Sequence, residues 1–339
     1  MTDAGGKHTV SMYFVRAALS RLAPAACQRA LAAAGIPPQL LAAPQARVPA
    51  SAFSALWLAV ARELDDEFFG LDRRPMRVGS FALICQAVLG CENLQQAIRR
   101  MLRGFALFLQ DIGGTLEREG SEAVLRLDTR IDDPAARRFA EETLLTLVHG
   151  LMCWLVGRRV PLTRVEFGFA RPPHVAEYLL MYSRHLGFDA PCTRIRFSAR
   201  ALDAPIVQTP ASLRRFLREA PQSVFLKYRD TNGWTAQVRR RLRASRATAA
   251  EDWPGLEQVC EAMGTSPTTL RRRLEAEDTS FQAIKDQLRN DLAIDYLCNS
   301  ALSVDEIAAR LGYQDASAFH RAFRRWNGLR PGEYRRERG

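Results

Sequence analysis

The sequence lacks the cysteine arrangements that bind zinc or build a disulfide framework. Its 7 cysteines are scattered, with no CxxC pair and no Cys/His cluster at zinc spacing. The nearest candidate is His149 with Cys153, one helical turn apart, and such a lone pair is far more often part of a core than a metal site. We therefore expect reduced, mostly buried thiols, with no metal site and no cofactor.

The chain also lacks a long hydrophobic run. The longest, Leu144 to Val156, is interrupted by His149 and Gly150 and is shorter than the roughly 20 residues that a membrane span needs. The N-terminus begins with polar residues and has no basic segment followed by an apolar one, as a secretion signal would. These absences predict a cytoplasmic protein that does not contact a membrane.

Motifs of the common enzyme classes are missing as well. The sequence contains no phosphate-binding P-loop, no GxGxxG, no GxSxG and no HExxH. No cysteine stands in a basic Cys-His-Arg setting that would make its thiol reactive. We therefore expect a protein that is not an enzyme.

Positive charge is abundant but is not concentrated in one part of the chain. The 339 residues contain 48 Lys and Arg against 37 Asp and Glu, a net charge of +11 that fits a polyanionic partner. Residues 233–339 hold 18 basic and 15 acidic residues, so the other 30 and 22 lie before Gly233. The overall charge therefore does not locate a nucleic-acid interface, and the placement of individual arginines has to do so.

Length and pattern predict two domains joined by a linker. Residues 1–205 mix helical periodicity with strand alternation, which predicts an α+β domain. The helical patterns are 25–34, 50–64, 93–110 and 134–156, and the strand patterns are 115–119, 122–128, 165–169 and 194–197. Prolines and the turn signal of residues 230–233 predict a linker over 206–232, with a helical stretch around 213–217. Residues 233–336 carry helical patterns with short turns, which predicts an all-α domain.

The C-terminal domain contains an internal repeat of a short helix, a glycine turn and a second helix. Gly264 and Gly312 can take the left-handed conformation that ends the first helix of each copy. Ser266 and Asp315 are suited to cap the second helices, because their side-chain oxygens can accept hydrogen bonds from backbone N–H groups. The two copies span residues 256–277 and 304–327. This arrangement predicts two helix-turn-helix motifs.

The second helix of each copy has an apolar face and a polar face. Four residues at matching distances from the caps should pack into the core, namely Leu270, Leu274, Phe319 and Phe323. The opposite faces carry Thr268, Arg271, Arg272 and Glu275 in the first copy and Ser317, His320, Arg321 and Arg324 in the second. Arginine can bond guanine through two hydrogen bonds, and hydroxyls can meet base edges or phosphates, so these faces suit a DNA major groove. A solvated face with no partner is the alternative for one such helix, and the matched second copy disfavours it.

A predicted helix over Phe281–Leu297 separates the two copies. Its apolar stripe consists of Phe281, Ile284, Leu288, Leu292 and Tyr296. A helix of that length spans about 26 Å. It would be a rigid spacer of the right order to hold two recognition helices one DNA turn, ~34 Å, apart.

Residues 234–336 resemble the DNA-binding domain of AraC/XylS-type transcription regulators. The resemblance is carried by the run from Ile307 to Arg335, with its Gly-Tyr, its Ser-x-Phe-x-Arg-x-Phe and its closing Pro-x-x-Tyr-Arg in register. It implies two helix-turn-helix subdomains joined by a helix, and double-stranded DNA as the partner. Carried over by position, the bases are met by Thr268, Arg271 and Arg272 and by Ser317, His320, Arg321 and Arg324. Ser266, Thr269 and Arg325 complete the predicted DNA-binding set.

The N-terminal region resembles, through shorter stretches, the arabinose-binding-type sensor domain of one branch of the same family. These stretches are residues 37–49, 68–71, 164–167, 196–197 and 202–206. The resemblance implies a homodimeric regulator, an activator in most of the family, that responds to a small-molecule effector and acts with RNA polymerase. It names no effector and no pocket residues. A domain that only dimerises or binds a protein partner is the alternative.

Overall fold

The computed structural model describes residues 9–43, 46–183, 185–221, 224, 233–247, 253–277 and 279–336. These residues form two compact units. The helical unit comprises residues 9–13, 35–53 and 233–336, and the sheet unit comprises residues 14–34 and 54–224. The predicted boundaries at 205 and 233 differ from this division, because two N-terminal segments belong to the unit that holds the C-terminal helices.

Strands occur in both units. They are β1 Thr9–Ser11, β2 Arg47–Pro49, β3 Ile112–Glu119, β4 Glu122–Thr129, β5 Leu162–Glu166, β6 Leu186–Gly187 and β7 Arg194–Ser198. In the helical unit, β1 pairs antiparallel with β2. In the sheet unit, the other strands form one sheet in the order β3-β4-β7-β5-β6, antiparallel except between β5 and β6. The sheet and its helices confirm the predicted α+β class of the N-terminal region.

The helices before residue 220 cover the predicted helical patterns and add others. They are α1 Met12–Leu19, α2 Pro24–Ala34, α3 Ala50–Leu64, α4 Ser80–Leu89, α5 Leu94–Phe108, α6 Pro134–Leu155, α7 Val175–Met181 and α8 Pro210–Glu219. Helix α6 begins where its sequence favours a start, with Pro134 in the first turn and the Asp133 carboxylate accepting a 3.1 Å hydrogen bond from the Ala135 amide. From Ala136 onward most of its residues are buried, so α6 is the central helix of the sheet unit.

Strand β5 lies earlier in the chain than the alternation of residues 165–169 predicts. The amide of Gly168 donates to the Thr193 hydroxyl at 2.9 Å, so this residue is bonded to a side chain and not to a strand carbonyl. Phe167 is fully buried between aromatic rings, including those of Tyr178 and Phe188. The apolar alternation therefore continues past the point where the backbone leaves the sheet.

The predicted linker contains a packed helix. Thr209 and Ser212 form a capping box at the start of α8, and Leu213 and Phe216 are buried. The Phe216 ring stacks on Trp154 with centroids 4.5 Å apart, within the sheet unit. Within the predicted linker, residues 222, 223 and 225–232 lie outside the described residues, and these include residues 230–232 of the turn signal.

The remaining helices build the helical unit and confirm the predicted all-α character of the C-terminal region. They are α9 Trp234–Ala247, α10 Leu256–Ala262, α11 Pro267–Glu275, α12 Phe281–Asn299, α13 Val304–Arg310, α14 Ala316–Asn327 and α15 Pro331–Arg336. One part of the core is formed by residues of α9 to α12 and includes Val238, Leu242, Leu270 and Ile284. Among the described residues, no helix is both long and apolar enough to cross a membrane.

Candidate nucleic-acid interface

The first tandem helix pair consists of α10 and α11. Gly264 has φ of +62°, the left-handed conformation that lets the chain turn sharply after α10. The Ser266 hydroxyl then accepts a 3.2 Å hydrogen bond from the amide of Thr269, and Pro267 occupies the first position of α11. Local sequence therefore determines both the turn and the start of the second helix.

The second pair, α13 and α14, repeats this construction. Ser303 and Glu306 form a capping box, with the Ser303 amide 2.6 Å from the Glu306 carboxylate and the Glu306 amide 3.2 Å from the Ser303 hydroxyl. The hydrogen bonds that the carboxylate accepts from Ser303, above all from its amide, hold the pKa of Glu306 below its ordinary value. Gly312 has φ of +76° and Asp315 caps α14 by accepting from the Ala318 amide at 2.7 Å.

The inward faces of α11 and α14 anchor both helices in the core. Leu270, Leu274, Phe319 and Phe323 are all fully buried. The Phe323 ring meets Phe319 at 5.7 Å and Tyr334 of α15 at 5.5 Å, in edge-to-face contacts. The rotation of each helix about its axis is thereby fixed, and its polar face points outward.

The structure places the predicted DNA-contacting residues on these outward faces. In the first motif Ser266, Thr268, Arg271 and Arg272 are exposed and Thr269 is half-buried. In the second motif Ser317, Arg321, Arg324 and Arg325 are exposed and His320 is half-buried. Each set thus presents hydroxyls and guanidinium groups from one short helix, which is the donor set that phosphates and base edges can bind.

Some of these side chains already have protein partners. The Ser266 hydroxyl donates to the Thr269 hydroxyl at 2.9 Å, so both belong to the cap of α11. Arg325 lies 3.5 Å from the Asp286 carboxylate of α12, although its side chain is 70% exposed. A phosphate would compete with these contacts, whereas Arg271, Arg272, Arg321 and Arg324 project from the helix faces as exposed side chains.

Several residues that hold the two motifs together were not predicted from the sequence. The indole nitrogen of Trp253, from the first motif's core, donates to the carbonyl of Leu311 at the end of α13, at 2.9 Å. The guanidinium of Arg289 on α12 lies over the Trp253 ring at 5.5 Å and over the Tyr313 ring at 5.0 Å. Burial raises the pKa of Tyr313, and the facing Arg289 opposes that shift. Arg289 follows Leu288 of the predicted apolar stripe, but that position alone does not predict this contact.

Buried polar pairs also run along α12. The Asn327 amide of α14 donates to the Asn290 carbonyl oxygen at 2.7 Å, and both side chains are buried. Arg239 of α9 donates to the Asp291 carboxylate at 2.9 Å, and these two side chains are also buried. Helix α12 therefore binds α9 through a charged pair and α14 through an amide pair. Neither pair belongs to the apolar stripe that the sequence predicts for this helix.

The β1-β2 ladder packs on the same helix within the helical unit. The Thr9 hydroxyl donates to Asp291, and the Arg47 guanidinium lies 4.0 Å from the same carboxylate. Arg47 also donates to the Thr9 hydroxyl at 2.6 Å, and its carbonyl accepts from Tyr334 of α15 at 3.3 Å. Asp291 is thus the centre of a buried network that joins N-terminal strands to C-terminal helices.

Glu277 completes the framework of the first motif. This buried carboxylate accepts hydrogen bonds from the amides of Trp234 and Thr235 at 3.0 and 2.9 Å and from the Thr235 hydroxyl at 2.7 Å. It satisfies the first N–H groups of α9 and faces the positive end of that helix dipole. A residue just after α11 therefore fixes where α9 begins.

Comparison with known proteins adds family information to this geometry. Residues 25–206 match the family model described as the arabinose-binding domain of AraC transcription regulator, N-terminal, and residues 259–337 match a helix-turn-helix domain. The ornithine utilization regulator of Pseudomonas aeruginosa is 29% identical over 306 residues, 89% of this chain and 88% of that protein. An HTH-type transcriptional regulator of Mycobacterium tuberculosis is 28% identical over 320 residues, 90% of each chain. The urease operon transcriptional activator of Escherichia coli is 35% identical over 80 residues, 24% of this chain and 27% of that protein.

Proposed function

Because the chain belongs to the AraC-type transcription regulators with an N-terminal arabinose-binding domain, we propose that it is a sequence-specific activator controlled by a small metabolite. In this proposal α11 and α14 enter two successive major grooves on one face of the DNA. The protein acts as a homodimer and recruits RNA polymerase to the promoter. The N-terminal domain changes state when its effector binds and thereby alters how the recognition helices are presented.

The observation that carries the proposal is the matched polarity of α11 and α14. Each helix buries two large apolar residues and turns hydroxyls and arginines outward, and each follows a short helix and a glycine turn. A helix pair that served only as a scaffold would not need exposed arginines at corresponding positions of both helices. The match therefore favours a shared partner such as DNA. The name of the E. coli relative, a transcriptional activator, supports activation, and that of the P. aeruginosa relative supports metabolite control.

The assignment of residues follows from exposure and position. Arg271 and Arg321 are the proposed base-contacting residues, each exposed near the middle of its helix. Thr268, Arg272, Ser317, His320 and Arg324 flank them on the same faces. Ser266, Thr269 and Arg325 lie at helix ends or have protein partners, and we assign them to phosphates near the helix N-termini and the groove edge.

The experiment is selection of genomic fragments with the full-length protein, followed by footprinting at a stated salt concentration. We expect each monomer to protect two half-sites about one helical turn apart. Arg271→Ala and Arg321→Ala should each lose roughly 1–3 kcal/mol and relax the base preference at one position of one half-site. Arg240→Ala, an exposed arginine of α9, is the matched control and should leave base preference unchanged.

Each part of the proposal has its own contradicting result. If both arginine variants weakened all sequences equally, their contacts would be with phosphates and the base assignment would be wrong. Protection of one half-site per monomer would remove the double-headed arrangement. A protein that stays monomeric at micromolar concentration when bound to its operator would remove the dimer.

A further inference from the structure

The sheet unit contains a cleft of about 750 Å³, within the range of small-molecule sites. It lies where the start of β3, the end of β4, the first turns of α6 and the segment just before β7 come together. All of its lining residues belong to the sheet unit. The lining is predominantly polar, so the cleft is unsuited to a fatty or purely aromatic ligand.

The charged lining of this cleft is balanced in sign. It consists of three arginines and three carboxylates, Arg74, Arg130, Arg137, Asp111, Asp128 and Glu141. Asp111 is already neutralised by Arg73, whose Nε lies 2.8 Å from it, and Arg74 donates to the Leu107 carbonyl at 3.0 Å. A hydrogen bond to a carbonyl leaves the charge of Arg74 in place, so three cations and two anions face the cleft. Four of these groups, Asp128, Arg130, Arg137 and Glu141, lie at the end of β4 and on α6.

These four groups occur as two pairs of opposite charge on two elements. Asp128 lies near the end of β4 and Arg130 directly follows the strand, and both residues line the cleft. Arg137 and Glu141 are one turn apart on α6. A ligand that lies between the strand and the helix meets one positive and one negative group on each side.

Arg137 and Glu141 are held in place by separate partners. The Arg137 guanidinium donates through Nε to the Ile131 carbonyl at 2.7 Å, which fixes its stem. The Glu141 carboxylate accepts from the Thr193 hydroxyl, and that hydroxyl accepts from the Gly168 amide at 2.9 Å. The two charges are thus positioned before any ligand arrives, which reduces the entropy lost on binding.

Among these four groups, Glu141 gives the strongest indication of a cationic ligand group, because its side chain lines the cleft although the residue is only 3% exposed. Burial raises the pKa of this carboxyl, while the Thr193 hydrogen bond and Arg137 oppose the shift and Glu142 adds to it. A buried carboxylate is stabilised by a cation that reaches it. A positively charged ligand group would therefore gain more here than at an exposed carboxylate.

We propose that this cleft is the effector site and that its ligand is a small α-amino acid, bound as the zwitterion. The ligand carboxylate is held by Arg130 and Arg137, and its ammonium by Glu141 and Asp128. The inference rests on the proposed metabolite control and specifies where and by which chemistry it operates. A sugar would leave both charge pairs unmatched, and a simple anion would leave the two carboxylates unmatched.

Gly113 offers a way to close the cleft without disturbing the charges. It lies in β3 on the cleft wall, and a Cβ added there meets no atom within 4 Å. Its backbone φ is not positive, so a larger residue causes no backbone strain. Gly113→Leu should therefore fold and fill space that the ligand needs.

The test is calorimetric titration of the full-length protein with a panel of the common amino acids, L-ornithine and L-norvaline. Pentanoate, 1,4-diaminobutane and L-arabinose are the matched probes that carry only the acid, only the amines or no charge. We expect at least one amino acid to bind with one site per chain and all three matched probes to bind at least about tenfold more weakly. A panel in which no amino acid binds, or in which any of the three matched probes binds as tightly, overturns the proposal.

Variants locate the site. Glu141→Gln and Arg130→Gln should each weaken the amino acid at least about tenfold, and Gly113→Leu should abolish its binding. Arg118→Gln, an exposed arginine at the far end of β3, is the control and should bind like the parent protein. Unchanged affinity in Glu141→Gln and Gly113→Leu means that the ligand sits elsewhere, which overturns the assignment of the cleft.

Operator binding without effector, measured in parallel, distinguishes this inference from the proposed function. If operator binding is specific but no variant of the cleft alters the ligand response, only the cleft assignment fails. If the amino acid binds in the cleft but no specific operator exists, the proposed function fails and the site remains.

Discussion

The Trp253 indole nitrogen donates a 2.9 Å hydrogen bond to the Leu311 carbonyl, and this bond joins the two helix-turn-helix motifs. Trp253 belongs to the core of the first motif, and Leu311 ends the first helix of the second. Arg289 of the spacer helix lies over the same indole ring. Helices α11 and α14 are therefore oriented by direct contacts between the motifs as well as by the length of α12.

Trp253→Phe should weaken the coupling between the motifs. It keeps an aromatic ring in the core but leaves the Leu311 carbonyl without its donor, at a cost of about 1–3 kcal/mol. We expect a lower urea midpoint and a larger loss of affinity for an operator with two half-sites than for one with a scrambled half-site. Circular dichroism and gel-shift titration measure the two effects.

Trp326→Phe is the control, because Trp326 is a half-buried tryptophan of α14. It should lower stability less than Trp253→Phe and affect both operators in the same proportion. Equal losses for Trp253→Phe on both operators would show that the indole bond supports folding only and does not couple the motifs.

The buried Asn290–Asn327 pair predicts a non-additive pair of substitutions. Asn327→Leu removes the donor of the 2.7 Å bond and leaves the Asn290 amide buried without it, which should cost about 1–3 kcal/mol. Asn290→Leu should cost a similar amount. The double variant replaces both polar groups by apolar ones and should be less destabilised than the sum of the two. Urea unfolding of all four proteins measures the coupling, and additive losses would mean that the amides do not depend on each other.

Asp291 holds a larger network, and its removal should be more damaging. Asp291→Ala takes the carboxylate from the buried Arg239, and breaking such a pair should lower the free energy of unfolding by roughly 3–5 kcal/mol. Asp286→Ala, which removes the partner of the exposed Arg325, should change it by less than about 1 kcal/mol. If both variants lost the same amount in urea unfolding, burial of the Asp291 network would contribute nothing.

The sequence predicted features that depend on neighbouring residues. The caps Ser266 and Asp315, the left-handed Gly264 and Gly312 and the buried faces of α11 and α14 all follow from spacing within a single helix pair. The same local logic predicted α3 and the two strand patterns on either side of Gly120, which has φ of +61°. In each case the residue's own conformational preference or hydrogen bond determines the structure.

Features that depend on distant partners were not predictable in this way. Asn290 and Asp291 are polar, so a periodicity count assigns them to solvent, yet partners from α14 and α9 let them be buried. The cleft of the sheet unit combines Asp128, Glu141 and Thr193, which only the folded sheet brings together. Strand β6, with two residues, is specified by its pairing with β5 and leaves no pattern of its own.

His149 predicts how stability depends on pH. It lies in α6 with its Nε2 2.9 Å from the Val160 carbonyl, an arrangement in which the neutral ring donates. Burial lowers its pKa to about 4, and the nearby Arg159 adds to this shift while the hydrogen bond to Val160 opposes it. In the unfolded chain the pKa returns to about 6.5, so between these values the unfolded state binds a proton that the folded state does not.

Acid should therefore destabilise the protein through this residue. The contribution of neutral His149 is fully present above about pH 6.5 and is lost as the pH falls toward 4, which amounts to about 2 kcal/mol at pH 5 relative to pH 7. His149→Gln keeps a neutral donor and should flatten that part of the pH profile of urea unfolding, although the variant is less stable at pH 7. His320→Gln, on the outward face of α14, should retain the slope of the parent protein. Parallel profiles for the parent and His149→Gln would mean that the pKa of His149 is the same in the folded and unfolded states. The burial of the ring would then have no effect on its protonation.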